Sequence, residues 1–306
     1  RHRHRDERSL DWVLLQVALP HDNEIKIDAA EQMFAGLYSL RKHGWFSWLT
    51  AQDHISLEIA ALPENIRFYV GCPGHLRDLV EKQIHGSYPT ADIKPTEEYN
   101  IFSEEGFVSY ASLSLEYSNS LPLKIYKDLA VDPLSLVTSQ LAKMDPGEGA
   151  ALQLLISPAS SRWRASGRSF ISKIKKRESN PEKATYAYDQ KTLESIDNKC
   201  SKPGFNVAIR IVVSSKTKEN SEAHLENIVG AFSQFSSDHN HLKKDRLFLK
   251  PLFVNDFIYR YFPLFRQKSI LNVEELATLY HFPNKTVETP HIFWLNSKRA
   301  PAPQQI

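Results

Sequence analysis

Strand and helix patterns alternate through the first hundred residues in an order that very few folds accommodate. A largely apolar run at 12–19 predicts a strand, and apolar residues at every second position predict strands at 55–59 and 66–70. Residues 63–65 are a predicted turn between the last two. Apolar residues near helical spacing at 30–40 predict a helix that Gly44 ends, and a stripe at 76–84 predicts a second helix that begins at Pro73. A short strand is expected at 91–94. The order is β-α-β-β-α-β, so we expect an antiparallel sheet covered by two helices.

The second half of the chain shows a related alternation. Strands are predicted at 107–117, 150–156, 205–213 and 247–252, and helices at 132–141, 162–177 and 225–235. The run at 13–20 resembles the run at 151–158, and each precedes a helix, which favours an internal duplication. The polar segment 178–203 is either a flexible insertion or a continuation of the helix before it. We therefore expect an α+β fold of two ferredoxin-like (βαββαβ-type) sandwich units.

Domain boundaries follow from this pattern. A length of 306 residues suggests two domains. We expect a basic tail at 1–10, a ferredoxin-like domain at 11–103, a second α+β domain at 104–260, a C-terminal helix segment at 261–299 and a Pro-rich linker at 300–306.

Basic residues are concentrated in one predicted helix. The net charge of +2 is too small to indicate a nucleic-acid partner, but eight Lys and Arg residues lie within 162–183 against two Glu residues. The stretch at 97–148 leans acidic instead. An outward basic face would contact a phosphate backbone, acidic lipid or an acidic neighbouring protein, or else be only a solvated surface. The candidate contact residues are Arg162, Arg164, Arg168, Lys173, Lys175 and Lys176.

Motifs for common enzyme chemistry are missing from the sequence. No Gly-x-x-x-x-Gly-Lys-Ser/Thr loop occurs, so nucleotide hydrolysis by this chain is not expected. His239 and His241 are too weak a signal for a metal site, and Cys72 with Cys200 are expected to be free thiols. No catalytic, cofactor or metal site is therefore predicted, and the chain is not expected to be an enzyme by itself. An enzyme whose site only the folded structure brings together is a third hypothesis.

Four segments resemble a known class of protein. They are Trp12–Pro20 with 30–34, residues 55–84, residues 132–156 and, most specifically, Glu274-Glu-Leu-Ala-Thr-Leu-Tyr-His-Phe-Pro283. Together they resemble the region ahead of the P-loop motor in type IV secretion and conjugative DNA-transfer ATPases of small-genome bacteria. Locally, Asn272 and Glu275 are suited to begin a helix as a capping box, which favours a structural role for the last segment.

The resemblance implies a non-catalytic assembly module at the inner, cytoplasmic face of the cell membrane. Its expected partners are its own downstream ATPase domain, neighbouring ATPase subunits in a hexamer, or secretion-channel components. The alternative is a nucleic-acid-binding module that feeds DNA to the motor through the basic helix at 162–177. No cofactor is implied for this region.

Overall fold

A computed structural model describes residues 11–40, 52–63, 65–178, 190–247, 250–263 and 267–295. The predicted basic tail, Gly44 and the Pro-rich linker lie outside the described residues. The strands are β1 Trp12–Ala18, β2 Ile55–Leu62, β3 Asn65–Pro73, β4 Asp92–Thr96, β5 Phe107–Leu115, β6 Gly149–Pro158, β7 Gly204–Ser215, β8 Leu242–Lys244 and β9 Ser269–Asn272. The α-helices are α1 Asp28–Leu37, α2 Arg77–Ser87, α3 Pro133–Leu141, α4 Arg162–Glu178, α5 Gln190–Ser201, α6 Lys218–Ala231, α7 Lys250–Ile258 and α8 Val273–Leu279.

The nine strands form one antiparallel sheet, which confirms the predicted α+β class. The strand order is β4-β1-β3-β2-β6-β7-β5-β8, and β9 pairs with the beginning of β7. From the outer edge inward, the first half has the order β4, β1, β3, β2, and the second half has the order β8, β5, β7, β6. In both halves the fourth strand in the chain is therefore outermost, followed by the first, the third and the second. The halves join where β2 pairs with β6 over seven residue pairs, from Ile55 opposite Ile156 to Ala61 opposite Ala150.

The main hydrophobic core lies on one side of the sheet, here called the helix face. Side chains from α1, α3, α6 and α8 pack there against the strands, for example Phe34, Leu141, Ile228 and Leu276. The other side, the cover face, is contacted by residues 97–102 and by α7. Its smaller apolar cluster includes Phe253 and Phe257 of α7. The protein is therefore layered, with a thick helical layer on one face and a thin cover on the other.

Three features differ from the sequence-based predictions. The strand predicted at 247–252 is wrong, because residues 250–258 form α7 and the strand that closes the second half is β8. Pro251 lies in the first turn of α7, where its missing N–H costs no helical hydrogen bond. The four-residue strand β9, too short to show an alternating pattern, was missed.

The polar segment at 178–203 contains a separate helix. Helix α5 occupies Gln190–Ser201, while residues 179–189 lie outside the described part of the chain. Leu193, Ile196 and Cys200 form its buried stripe at helical spacing, although charged neighbours mask that stripe in the sequence. Helices α4 and α5 thus connect β6 to β7, whereas the corresponding connection in the first half, β2 to β3, is a tight turn.

Candidate functional site

Helix α4 packs closely on α5 through one narrow apolar stripe. Trp163, Ile171 and Ile174 of α4 are buried. Gly167 allows a close approach, because a Cβ atom at this position would lie 2.2 Å from the Sγ atom of Cys200. This stripe fixes the orientation of α4, and most of the other described side chains of the helix face solvent.

Five of the six predicted contact residues lie on that solvent side. They are Arg162, Arg168, Lys173, Lys175 and Lys176, and we call them the α4 basic face. The sixth, Arg164, is half-buried and donates hydrogen bonds to the carbonyl oxygens of Cys200 and Ser201, at 2.8 and 2.6 Å. Since these carbonyls end α5, Arg164 has a structural role in holding the two helices together.

The surroundings of the α4 basic face remain positively charged. On α5, Lys191 is exposed and adds to it, while Glu194 and Asp197 are the exposed carboxylates of that helix. Across the described parts of both helices, six exposed cations therefore face two carboxylates. The surface is suited to bind an anionic partner by charge rather than by apolar contact.

A row of polar side chains crosses the cover face of the sheet. The strand register places Tyr69, Glu58, Gln153, Arg210 and Ser112 side by side on the neighbouring strands β3, β2, β6, β7 and β5. We call these five residues the polar row. It spans both halves of the molecule and was not predicted from the sequence.

The members of the polar row bond to one another and to the cover. Gln153 donates from Nε2 to Glu58 Oε1 at 3.0 Å, and Arg210 donates to the Gln153 Oε1 atom at 3.2 Å. Arg210 also donates to the carbonyl oxygens of Asp256 and Tyr261, at 2.8 and 2.6 Å. The row therefore fastens α7 and the residues after it to the sheet.

Glu58 is held ionised at the centre of this network. It is fully buried and accepts hydrogen bonds from Tyr99 and from Arg260, whose guanidinium also bonds Glu98. Burial alone would raise the pKa of Glu58, but the charge and hydrogen bonds of Arg260 outweigh it and lower that pKa. Burial and the nearby Glu58 charge raise the pKa of Tyr99 well above its usual value. The carboxylate thus stays charged and the phenol neutral, and their hydrogen bonds hold the cover to the sheet.

Comparison with known protein families places both features in one domain. The model of the DUF8128 family, described as a domain of unknown function, matches residues 5–295. The chain belongs to this family. A comparison with curated proteins found no match. The polar row and the α4 basic face both lie inside the DUF8128 match.

The most specific segment of the sequence, 274–283, is a buried structural element of this DUF8128 domain. Asn272 and Glu275 form the predicted capping box, with the Asn272 side chain accepting from the Glu275 N–H at 2.9 Å. Glu275 also pairs with Lys199 of α5 at 3.0 Å, and both side chains are 1% exposed. Helix α8 ends at Leu279, four residues before Pro283. The structural role favoured for this segment therefore agrees with its surroundings.

His281 connects this segment to α3. Its Nδ1 atom lies 2.8 Å from the Ala277 carbonyl oxygen, and its Nε2 atom lies 3.0 Å from the Asp132 Oδ1 atom. Both neighbours are hydrogen-bond acceptors. Burial alone would raise the pKa of Asp132, but the hydrogen bond and charge of His281 hold that pKa below its usual value. The pair is buried and joins the beginning of α3 to the end of α8.

The remaining sequence candidates occupy ordinary positions in the DUF8128 domain. His239 lies 3.3 Å from the Thr192 hydroxyl, and the ring of His241 packs edge-on to Tyr117. Cys72 and Cys200 are free and buried, and burial raises the pKa of the Cys72 thiol to about 12. Within the described ranges, no three His, Cys, Asp or Glu residues are grouped to hold a metal ion. None of the helices that the structure describes is both long and apolar enough to cross a membrane.

Proposed function

We propose that this DUF8128 domain is a non-catalytic assembly module of a type IV secretion or conjugative-transfer ATPase. Its partners would be the ATPase domain downstream in the same protein, neighbouring subunits, or channel components at the inner face of the cell membrane. The proposal draws on the four resembling segments, which run through both halves of the sheet. In this proposal the domain binds its partners through its surface and catalyses no reaction.

The observation that carries the proposal is the distribution of charge. The interior charges Glu58, Arg260, Lys199 and Glu275 are bonded to one another in buried ion pairs. The α4 basic face places five exposed cations on a helix inserted between neighbouring strands. Interior charge supports the fold, and the α4 basic face lies at the surface, where an anionic partner can reach it.

Two ferredoxin-like units related by duplication form the scaffold in this proposal. The matching strand orders of the halves support it, and they make β6 the counterpart of β2, so the similar sequence of β1 and β6 does not add to that support. The α4–α5 pair then occupies the position of the short turn between the second and third strands of the first unit. An insertion at one such turn would give the second unit its contact helix.

A binding measurement between the chain and the ATPase domain of the full-length protein tests the assembly role. We expect Arg168→Glu with Lys173→Glu to weaken binding by about tenfold or more, because charge complementarity is lost at the contact. The control is Lys26→Glu with Lys82→Glu, which changes the same charge at exposed sites on the first half and should leave binding unchanged. ATP hydrolysis by the isolated chain at the rate of a motor, or no binding to the ATPase domain or to channel components, would contradict the proposal.

DNA binding is the second candidate function, favoured by the composition of the same surface. Ser166, Ser169 and Ser172 are exposed on α4 among its cations, and hydroxyl groups also donate hydrogen bonds to phosphate. If the five cations contact phosphates of double-stranded DNA, the logarithm of the affinity should fall with the logarithm of salt concentration at a slope of about −4.5. A flat salt dependence, or equal DNA binding by the α4 and control variants, would exclude this candidate.

A further inference from the structure

Opposite charges lie at the two ends of strand β7. At its beginning, the ring of Trp163 from α4 packs so closely on Gly204 that an added Cβ atom would lie 2.5 Å from it. At its end, Ser215 pairs with Phe107, which follows Glu104 and Glu105 in the chain. Strand β7 has 12 residues. At about 3.3 Å per residue its ends are roughly 36 Å apart, so the first turn of α4 and the two carboxylates lie far from each other within one copy.

The acidic end is the segment 97–105, which carries no cations of its own. Residues 97–105 contain four Glu residues and no Lys or Arg, and all four are exposed. Glu98 bonds Arg260. Of the other three, Glu104 and Glu105 lie just ahead of Phe107, and we call these two residues the acidic tip. Asp145, just ahead of β6, is exposed at the same end of the sheet.

Fewer cations lie near the acidic tip than on the α4 basic face, and one of them is paired with a carboxylate. Lys216 lies beside Gly147, and Lys218 pairs with Glu222 at 3.7 Å. Exposed Lys143 precedes Asp145 in the chain. The negative charge at this end of the sheet therefore comes largely from the acidic tip, Glu104 and Glu105.

Strand pairing between copies is disfavoured at both outer edges of the sheet. Strand β4 carries exposed Lys94 and Pro95, and a proline cannot donate to a neighbouring strand. Strand β8 is only three residues long, and its lysines pair with Glu116 and Glu226. A contact between copies must therefore use side chains on other surfaces.

We propose that a second copy of this chain binds head to tail, with the α4 basic face of one copy against the acidic tip of the next. The inference rests on the proposed assembly function and names the neighbouring subunit as the partner of α4. Because the two surfaces differ, each copy keeps one of them free, and addition continues into a ring or a filament. The contact is electrostatic, so salt weakens it.

Sedimentation velocity of the purified chain tests the head-to-tail contact. The wild-type chain is expected to associate at about 50 mM NaCl and to dissociate at about 500 mM, where screening is strong. Arg168→Glu with Lys173→Glu should weaken association by about tenfold or more, and so should Glu104→Lys with Glu105→Lys. Mixing the two variants should restore association, because the reversed α4 face of one then meets the reversed tip of the other.

The mixture distinguishes a specific contact from general charge effects. Lys26→Glu with Lys82→Glu is the control and should associate as the wild type does. A wild-type chain that stays monomeric at low salt, or a mixture that does not recover, overturns the head-to-tail contact. If a monomeric chain still binds the ATPase domain through α4, the assembly function stands and only this contact is wrong; if α4 instead binds DNA with a steep salt dependence, nucleic acid is the partner.

Discussion

Glu58 and Arg260 lie 202 positions apart and form a buried, two-point ion pair. The Nε and Nη2 atoms of Arg260 lie 2.8 and 3.1 Å from the two carboxylate oxygens. The Arg260 backbone has φ 54°, a left-handed conformation that costs on the order of 1 kcal/mol for a residue with a side chain. The side-chain bonds therefore hold a strained turn as well as a charge. Loss of one partner would leave the other charged and buried.

Replacing Arg260 with Met should strongly destabilise the fold. We expect the free energy of unfolding to fall by about 3–5 kcal/mol, because Glu58 is left without its counter-charge. The double variant Arg260→Met with Glu58→Gln should lose less than the sum of the two single variants. Urea unfolding of all four proteins measures this coupling. A loss for Arg260→Met no larger than that for Glu24→Gln, which alters an exposed pair with Lys285, would contradict the assignment.

The sequence contained a signal for the polar row but not its pairing. Glu58, Gln153 and Arg210 are each a single polar residue between two apolar neighbours of a strand. Such a residue in a buried strand indicates a polar partner across the sheet. The partner depends on the register of strands distant in sequence, and on Arg260 in a turn that no periodic pattern marks. The exposed cations of α4 were predictable, because helical periodicity alone separates them from the buried stripe.

At the scale of single elements, α8 is short but bonded at every polar position near its start. Glu275 accepts from the Asn272 and Leu123 N–H groups, at 3.0 and 2.8 Å, and Asn272 also donates to the Lys199 carbonyl oxygen. A helix of seven residues has little stability of its own, so its caps and tertiary contacts hold it.

Removing the α8 cap should measurably lower stability. Asn272→Ala is expected to cost about 1–2 kcal/mol, since the Glu275 N–H loses its acceptor in a buried site. Asn272→Ser keeps a side-chain acceptor and should cost less. Thermal and urea unfolding of the two variants provide the comparison. Equal stability of the Ala and Ser variants would show that the cap contributes little.

The tie between Asp132 and His281 predicts a loss of stability in acid. The pKa of Asp132 is lowered in the folded protein, so its ionised form stabilises the fold above its unfolded pKa. That contribution is lost as pH falls below about 4 and through the folded pKa. Asp132→Asn still caps α3 but cannot ionise, so its stability should depend less on pH between about 5 and 3. Urea unfolding across this range tests the slope; an unchanged slope would contradict the role of Asp132.

Element prediction succeeded where burial follows a regular period. Strands β1, β2, β3, β6 and β7 each present an uninterrupted apolar or alternating pattern. The strand predicted at 247–252 overlaps the beginning of α7 and was suggested by adjacent apolar residues at 247–249. The buried residues of α7, Phe253 and Phe257, lie beyond the predicted strand at helical spacing. Gln153 and Arg210 of the polar row bond to carbonyl oxygens of α7. These contacts join residues distant in sequence, so the local pattern could not show them.

At the scale of the whole molecule, the two halves share one sheet. Strand β6 is buried at all ten positions, and β2 is buried at seven of its eight. Each of these strands would be an exposed apolar edge if the halves were separated. The mixture of helices with antiparallel strands was predictable from sequence. The joining of the halves through β2 and β6 was not, because an apolar strand pattern does not show which strand lies beside it.

Separation of the chain at the predicted domain boundary should yield two unstable pieces. Residues 11–103 and 104–295, expressed alone, are expected to aggregate or to show poorly dispersed amide spectra, since each exposes a strand of the β2–β6 junction. Co-expression should recover a soluble complex with the spectrum of the intact chain. A well-dispersed, monomeric spectrum of 11–103 alone would show that the first half folds independently.

The surface residues of the α4–α5 connection can change with little effect on the stability of the sheet. Strands β6 and β7 keep their register through their own backbone bonds, from Gly149 opposite Ser214 to Pro158 opposite Phe205. The connection is anchored mainly through Arg164 within it and Lys199 against Glu275. Its outer residues can therefore vary in charge among relatives while the sheet stays the same, so that one scaffold can recognise different partners by exchanging a single surface helix.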